Sequence, residues 1–475
     1  MSVLGLDIGT SGVKGLALGD DGTVLARAEE SYPFATPHPG WAEQDPEQWW
    51  TAASAVLDSL RAAGEPSGIG LSGQMHGLVT LDSAGDVVHP AILWNDQRTA
   101  AECAEIEERV GLAELIAQTG NRALTGFTAP KLLWLRRHEP EAYGRIASVM
   151  LPKDYVRLRL CGERATDVAD ASGTLLFDVA HRSWSEPVIT ALELDESWLP
   201  PALESPSVSG TTADGVPVAA GAGDQAAGAL GVGVDRPGPA SVVIGTSGVV
   251  FTALDAFAAD PEARAHSFCH AVPGAWHAMG VMLSAAGSLR LLRDAIARGE
   301  DFAPLVADAE RWEPGVEGLT FLPYLAGERT PHADPDARGA FAGLSLRHDR
   351  GALVRAVLEG VAFGLRDSLD LVAEMGERPR VGRVSGGGAR SDLWLRIIAS
   401  VLELPLERTA ADEGAAFGAA LLGGVAGGVW GDVHEAVAAT VHTTGVVEPV
   451  AEWVEPYREG RERFRALYPA LRAVP

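Results

Sequence analysis

The stretch GLDIGTSGVKG, residues 5–15, gathers one acid, two hydroxyls, one lysine and four glycines into the first apolar segment of the chain. Six of these residues, Ile8-Gly9-Thr10-Ser11-Gly12-Val13, return as Ile244-Gly245-Thr246-Ser247-Gly248-Val249, 236 positions later in a chain of 475. A turn repeated at that interval marks the starts of two halves. Glycines let the backbone approach a ligand closely, successive amide N–H groups point into such a turn, and Thr and Ser add donors. Either copy alone reads as a plain hairpin; the pair reads as a phosphate clamp with one turn per half. Asp7 is matched by Val243 in the second copy and Lys14 by Val250. Only the first turn keeps an acid able to hold hydrated Mg2+ and a lysine able to meet phosphate.

Around the first turn, SVLGLDIG, GVKGLALGDDG and VLARAEESYP predict successive strands, with Asp20-Asp21-Gly22 as a hairpin turn. The segment DPEQWWTAASAVLDSLRAAG then predicts a helix, with an Asp cap, Pro in the first helical position, apolar residues at helical spacing and a Gly stop. After residues 235–240, DRPGPA, the strand-turn-strand pattern restarts. The boundary is therefore placed at 236/237, giving two α/β lobes, residues 1–236 and 237–475, facing across a cleft. Residues 351–375 predict a long apolar helix, and residues 383–402 a strand, a glycine turn and a helix.

Composition narrows the function. Acids outnumber bases 64 to 38, a formal charge of -26, which opposes binding to nucleic acid or anionic membranes. Cys103, Cys161 and Cys269 are scattered and lack metal-ligand spacing, as expected for a reducing cytosol, and the first apolar run carries Asp7 and no basic flank, unlike a signal peptide. A cytoplasmic location is expected. The longest uncharged run, residues 414–431, holds seven glycines and predicts a buried helix and a turn rather than a membrane span.

Several motifs carry candidate chemistry. Residues 68–73, GIGLSG, match the dinucleotide G-x-G-x-x-G pattern, but Glu65-Pro66-Ser67 precedes them and no suitable helix follows, so a nicotinamide site is set aside. None of the three lysines follows a glycine, which excludes a P-loop. Asp224, in AGAGDQAAGA, falls where an apolar strand gives way to a small-residue helix. It is either a helix N-cap or a general base for a substrate hydroxyl, and both readings stay open at this point. SGQMHG (72–77) and LWNDQR (93–98) bring Gln74, His76, Trp94, Asn95, Asp96 and Arg98. Hydrogen-bonding groups beside an aromatic face suit a polyhydroxylated ligand, against the alternative of ordinary loop polarity and a core histidine. SGGGARSDLW (385–394) is a third glycine turn, fit for a nucleoside or phosphate or simply a tight strand-to-helix connection, and DEGAAFGAALLGG (412–424) offers a pocket wall or a helix-packing surface.

These segments, with GWAEQDPEQWW, GFTAPKLLWLRRHEP, LPKDYVRLRL, GDQAAGA, HSFCHA, FLPYLAGERTPH and RAVLEGVAFGLRD, resemble the FGGY carbohydrate kinases over essentially the whole chain and in the family's order. The resemblance implies a two-lobed, duplicated α/β fold of the actin-like ATPase (ribonuclease H-like) kind, with ATP and a sugar bound in the central cleft. It implies that Asp224 is the catalytic base, that Met75 and His76 contact the sugar, where the residue reading adds Gln74, Trp94, Asn95 and Asp96, and that Asp7 lies near Mg2+. Thr10, Ser11 and Lys14, with Gly245 and Thr246, resemble the phosphate turns, and Gly387 and Gly388 the adenosine side. The resemblance is to members that convert D-xylulose to its 5-phosphate. A kinase for ribulose, gluconate or glycerol is the alternative within the family; a sugar or nucleotide sensor, or an actin-like ATPase, is the alternative outside it. A homodimer stays open.

Overall fold

In the computed structural model of the chain, residues 2–410 and 414–473 are described. Asp412 and Glu413, which open the small-residue segment read above as a candidate pocket wall, lie outside them. The repeat seen in the sequence is a repeat of topology. One seven-stranded sheet runs Val24–Ser31, Gly12–Gly19, Ser2–Ile8, Pro66–Gly73, Pro217–Ala219, Val208–Thr211, with Ala222–Gly223 also paired to Pro66–Gly73. A second seven-stranded sheet runs His266–Cys269, Trp276–Met282, Gly248–Leu254, Pro239–Ile244, Val381–Ser385, Leu406–Thr409, Thr443–Val447. In both, an antiparallel set is followed by two strands parallel to its first strand and an antiparallel edge; the set is a three-strand meander in the first sheet and four strands in the second, where His266–Cys269 pairs outside Trp276–Met282. This is the duplicated α/β architecture that the resemblance implies.

Local signals act as expected at several element ends. Asp45 caps the helix Pro46–Arg61 by accepting the Glu47 N–H, and Pro46 takes the first helical position, where a missing N–H costs nothing. Gly22 turns at φ +84 between the second and third strands, where Asp21 accepts the Thr23 N–H at 2.9 Å. The long apolar helix runs Arg350–Glu374.

The uncharged run forms the helix Gly414–Ala426, and among the described residues no helix is long and apolar enough to cross a membrane. Although it follows the last parallel strand of the second sheet, this helix packs on the first sheet, against Ser2–Ile8 and Pro66–Gly73, and against the helix Asp224–Gly231. That packing explains the G-x-G-x-x-G pattern. The segment is itself a central strand, and a Cβ on Gly68 or Gly70 would overlap the carbonyl oxygens of Gly423 or Ala419. These glycines serve close helix-on-strand approach, not a dinucleotide turn.

The chain between Pro66–Gly73 and Val208–Thr211, joined by the earlier strand Glu43–Gln44, builds a smaller subdomain. Its four-stranded sheet runs Glu43–Gln44, Val87–Ile92, Leu78–Leu81, Ser148–Met150. The subdomain's apolar residues Met75, Phe127 and Leu175 share one buried cluster with Phe251, Phe268 and Met279 of the second lobe. The lobes are thus joined by a common core as well as by crossing helices.

Candidate active site

Register brings three strand ends together. Ile8 lies beside Gly73, and Gly73 beside Gly223, in parallel pairs, so Gly9, Gln74 and Asp224 all leave the sheet at the same edge. Ligands of open α/β sheets sit outside such carboxyl ends. Asp224 is the first residue of the helix Asp224–Gly231, whose N-cap is Gly223. The capping alternative for Asp224 therefore falls away. Its carboxylate accepts from Gln225 Nε2 at 3.2 Å, and burial, with the nearby charge of Asp7, pushes its pKa up to about 7. Asp7 sits opposite Ser72 on one side and Lys14 on the other. Burial raises it to about 6, with Ser72 and Lys14 offsetting part of the shift, and its Oδ1 is buried without a partner among the described residues.

The first turn presents donors only. Its carbonyls are all occupied from behind: Ile8 O by the Gln74 N–H (2.9 Å), Gly9 O by the Tyr32 hydroxyl (2.6 Å), Thr10 O by Gln44 Nε2 (2.8 Å), and Ser11 O by the Tyr32 N–H (3.1 Å). The amides of Thr10 and Ser11 have no acceptor among the described residues. Such a concave run of N–H groups favours an anion. In the second turn the amides of Ala285 and Gly287 engage Thr246 O, and that of Ala286 engages Gly245 O. The loop bearing Gly387 and Gly388 lies against this turn; a Cβ on Gly386 would stand 2.8 Å from Ile244 O. Gly387 and Gly388 line a cavity of about 580 Å³ with Leu289, Phe302, Val306 and Trp394, of a size and apolarity that suit a nucleoside.

Residues proposed to surround a sugar divide into two groups. Met75 packs against the strand end that precedes Asp224, its Cγ 2.7 Å from where a Cβ on Gly223 would stand. His76 has φ +68, uncommon for a residue with a side chain. It is held there by Lys131 Nζ (2.9 Å) and Thr128 Oγ1 (3.1 Å) donating to its carbonyl, and by its Nδ1 2.6 Å from Gly173 O. A carbonyl only accepts, so Nδ1 carries the proton and Nε2 is left as an acceptor. Burial lowers His76 to about 3, keeping the ring neutral. Trp94 is 36% exposed, its indole N–H donating to Thr10 Oγ1 at 2.9 Å, and Asn95 Oδ1 has no partner among the described residues.

Gln74 and Asp96, expected beside a sugar, are engaged by the protein itself. Gln74 is buried and brackets the first turn, accepting from Thr10 Oγ1 (3.2 Å) and donating to Gln44 Oε1 (3.1 Å). Asp96 is fully buried and already accepts from the Ala42 and Arg98 amides and from the Arg98 guanidinium, which is stacked 3.6 Å over Trp41. Both oxygens of Asp96 are filled, and Gln74 is engaged at its oxygen and its nitrogen by the first turn and Gln44. Both hold the backbone that carries the others.

The FGGY family of carbohydrate kinases matches this chain through its N-terminal domain over residues 2–231 and its C-terminal domain over residues 240–427. The chain belongs to the FGGY carbohydrate kinase family. It is 43% identical to the xylulose kinase of Escherichia coli (strain K12), covering 98% of this chain and 99% of that one. A Brucella ovis crystal structure described as a "xyloylose kinase" superimposes with a TM-score of 0.95 at 42% identity over all of both chains. The xylulose kinase of Rhodospirillum rubrum superimposes with 0.92 at 35% identity over 99% of each. In this FGGY kinase the supporting roles of Tyr32, Gln44 and Lys131 were not readable from sequence. Their partners lie 23, 34 and 55 residues away, and only the fold brings them to the site.

Proposed function

We propose that the chain transfers the γ-phosphoryl group of ATP to the 5-hydroxyl of D-xylulose, giving D-xylulose 5-phosphate and ADP. The observation that carries this reading is the pair Asp224 and Asp7 at one sheet edge, beside a turn that offers only hydrogen-bond donors. Asp224 accepts the proton of the attacking hydroxyl. With a pKa of about 7 it is a stronger base than an ordinary aspartate and still substantially ionised near neutrality. Met75 and the Nε2 of His76 orient the sugar, while Trp94 and Asn95 close its side.

The turn amides of Thr10 and Ser11, with Lys14, hold phosphate oxygens; Gly245 and Thr246 provide the second jaw, and Gly387 and Gly388 floor the adenosine cavity. The residues also fit a divalent cation, because Asp7 Oδ1 is an orphaned buried carboxylate oxygen at the phosphate turn. Bound there through water, Mg2+ would neutralise charge on the β- and γ-phosphates. The chain's own contribution is positioning and proton acceptance.

The test is ADP release across ketoses, aldoses and polyols. D-Xylulose should give the highest kcat/KM. A clear preference for ribulose, gluconate or glycerol would move the assignment within the family, and turnover that ignores every sugar would reject it.

A further inference from the structure

The segment around Arg329 is fixed to the second lobe. Thr330 exchanges two hydrogen bonds with Val281 (Val281 N–H to Thr330 Oγ1, 3.0 Å; Thr330 N–H to Val281 O, 2.9 Å), and Glu328 Oε1 accepts the amides of Leu283 (2.9 Å) and of Arg329 itself (2.7 Å). From that platform the guanidinium reaches the first lobe. Its Nη2 stands 3.9 Å from where a Cβ on Gly126 would be, and Gly126 O is the second acceptor of Lys131, the residue that holds the His76 carbonyl. The charge of Arg329 also acts on His76 and His266.

Among the described residues no hydrogen bond or ion pair engages this guanidinium. Glu328 attracts it through space, but burial pushes that carboxyl up to about 8, so near neutrality it is largely uncharged. Arg329 is half-buried, so its five N–H donors are left open, without an acceptor among the described residues, to whatever oxygens enter beside it. A Cβ on the same Gly126 would stand 2.5 Å from the Trp94 carbonyl, so the guanidinium borders the part of the site that carries Trp94 and His76.

We infer that Arg329 is a specificity-determining residue that donates paired hydrogen bonds to the sugar oxygens farthest from the phosphorylated hydroxyl. For a ketose these are the 1-hydroxyl and the 2-carbonyl, on adjacent carbons, a spacing that suits the parallel N–H pairs of a guanidinium. The inference rests on the sugar-kinase reading above. It makes the sugar a bridge, with His76 contributed by one lobe and Arg329 by the other.

Steady-state kinetics of the wild type, Arg329→Met and Arg329→Lys test it, with D-xylulose and with its 1-deoxy analogue. The Met variant should raise KM for D-xylulose by about tenfold or more, as expected for loss of charge-assisted hydrogen bonds, with KM for ATP nearly unchanged. The loss should be clearly smaller with the 1-deoxy sugar, which already lacks one of the two oxygens. The Lys variant, which keeps the charge but not the fork, should fall between, and it carries the test if the Met variant does not fold. An equal loss with both sugars, or a fall in kcat at constant KM, would overturn the role of Arg329. A wild type that phosphorylates a sugar other than D-xylulose would be compared on that sugar and its terminal deoxy analogue. A wild type that phosphorylates no sugar would overturn the kinase reading itself, and this role with it.

Discussion

At the scale of the residue, the two acids carry charge where the fold disfavours it. Asp224 titrates at about 7 instead of the ordinary 3.8, so between those values the folded chain holds a proton that the unfolded chain has lost. Stability from this group is complete below pH ~3.8 and is lost as pH rises through about 7. Asp224→Asn should therefore raise Tm by an increment that grows from pH 4 to pH 8, while lowering kcat by ~10^2 to 10^4-fold if the carboxylate is the base. A kcat near the wild-type value would return Asp224 to a structural role. In the wild type, kcat/KM should fall as pH drops below about 7. Asp7→Asn should shift the Mg2+ dependence of turnover to higher concentration, and an unchanged titration would reject metal binding at Asp7. The acids, the turn hydroxyls and His76 stood out in the sequence because their residue types carry chemistry. Gln74 and Asp96 stood out for the same reason and bond to the first turn and to Ala42 and Arg98, since side-chain type does not reveal which polar groups the fold already engages.

At the scale of the element, meanders, turns and the long helices followed from alternation, caps and glycine stops, all local signals. The helix Gly414–Ala426 was predicted as an element, but its site of packing was not, because small residues fit equally well against a pocket, another helix or a strand. The matching set of glycines at 68 and 70 held that information, disguised as a nucleotide motif. Gly70→Ala would drive a methyl group into the carbonyl of Ala419. Overpacking of this kind costs about 1 to 3 kcal/mol, and a backbone obstacle places the change toward the upper end. Urea denaturation should show that loss as a lower midpoint with an unchanged slope; a midpoint equal to that of the wild type would mean that helix and strand are not so tightly apposed.

At the scale of the whole molecule, the lobes are joined by the cluster that mixes Met75 and Phe127 with Phe251 and Phe268, and by the helix that leaves one sheet to cover the other. Heating should give one cooperative transition for the full chain. Adding D-xylulose at 100 times its dissociation constant should stabilise the protein by about 2.7 kcal/mol and move that single transition upward. Two separated transitions, with only one responding to sugar, would contradict the joint core. The crossing helix also sets an order on synthesis. The strand ends that carry the two acids are complete once Asp224 has been made, yet the helix that covers their sheet begins 190 positions later, at Gly414. At about 5 to 20 residues per second the ribosome needs roughly 10 to 40 s to reach it. Throughout that interval the glycine-lined face of the first sheet is uncovered, so a nascent chain would depend on a chaperone there even though its catalytic groups are already made.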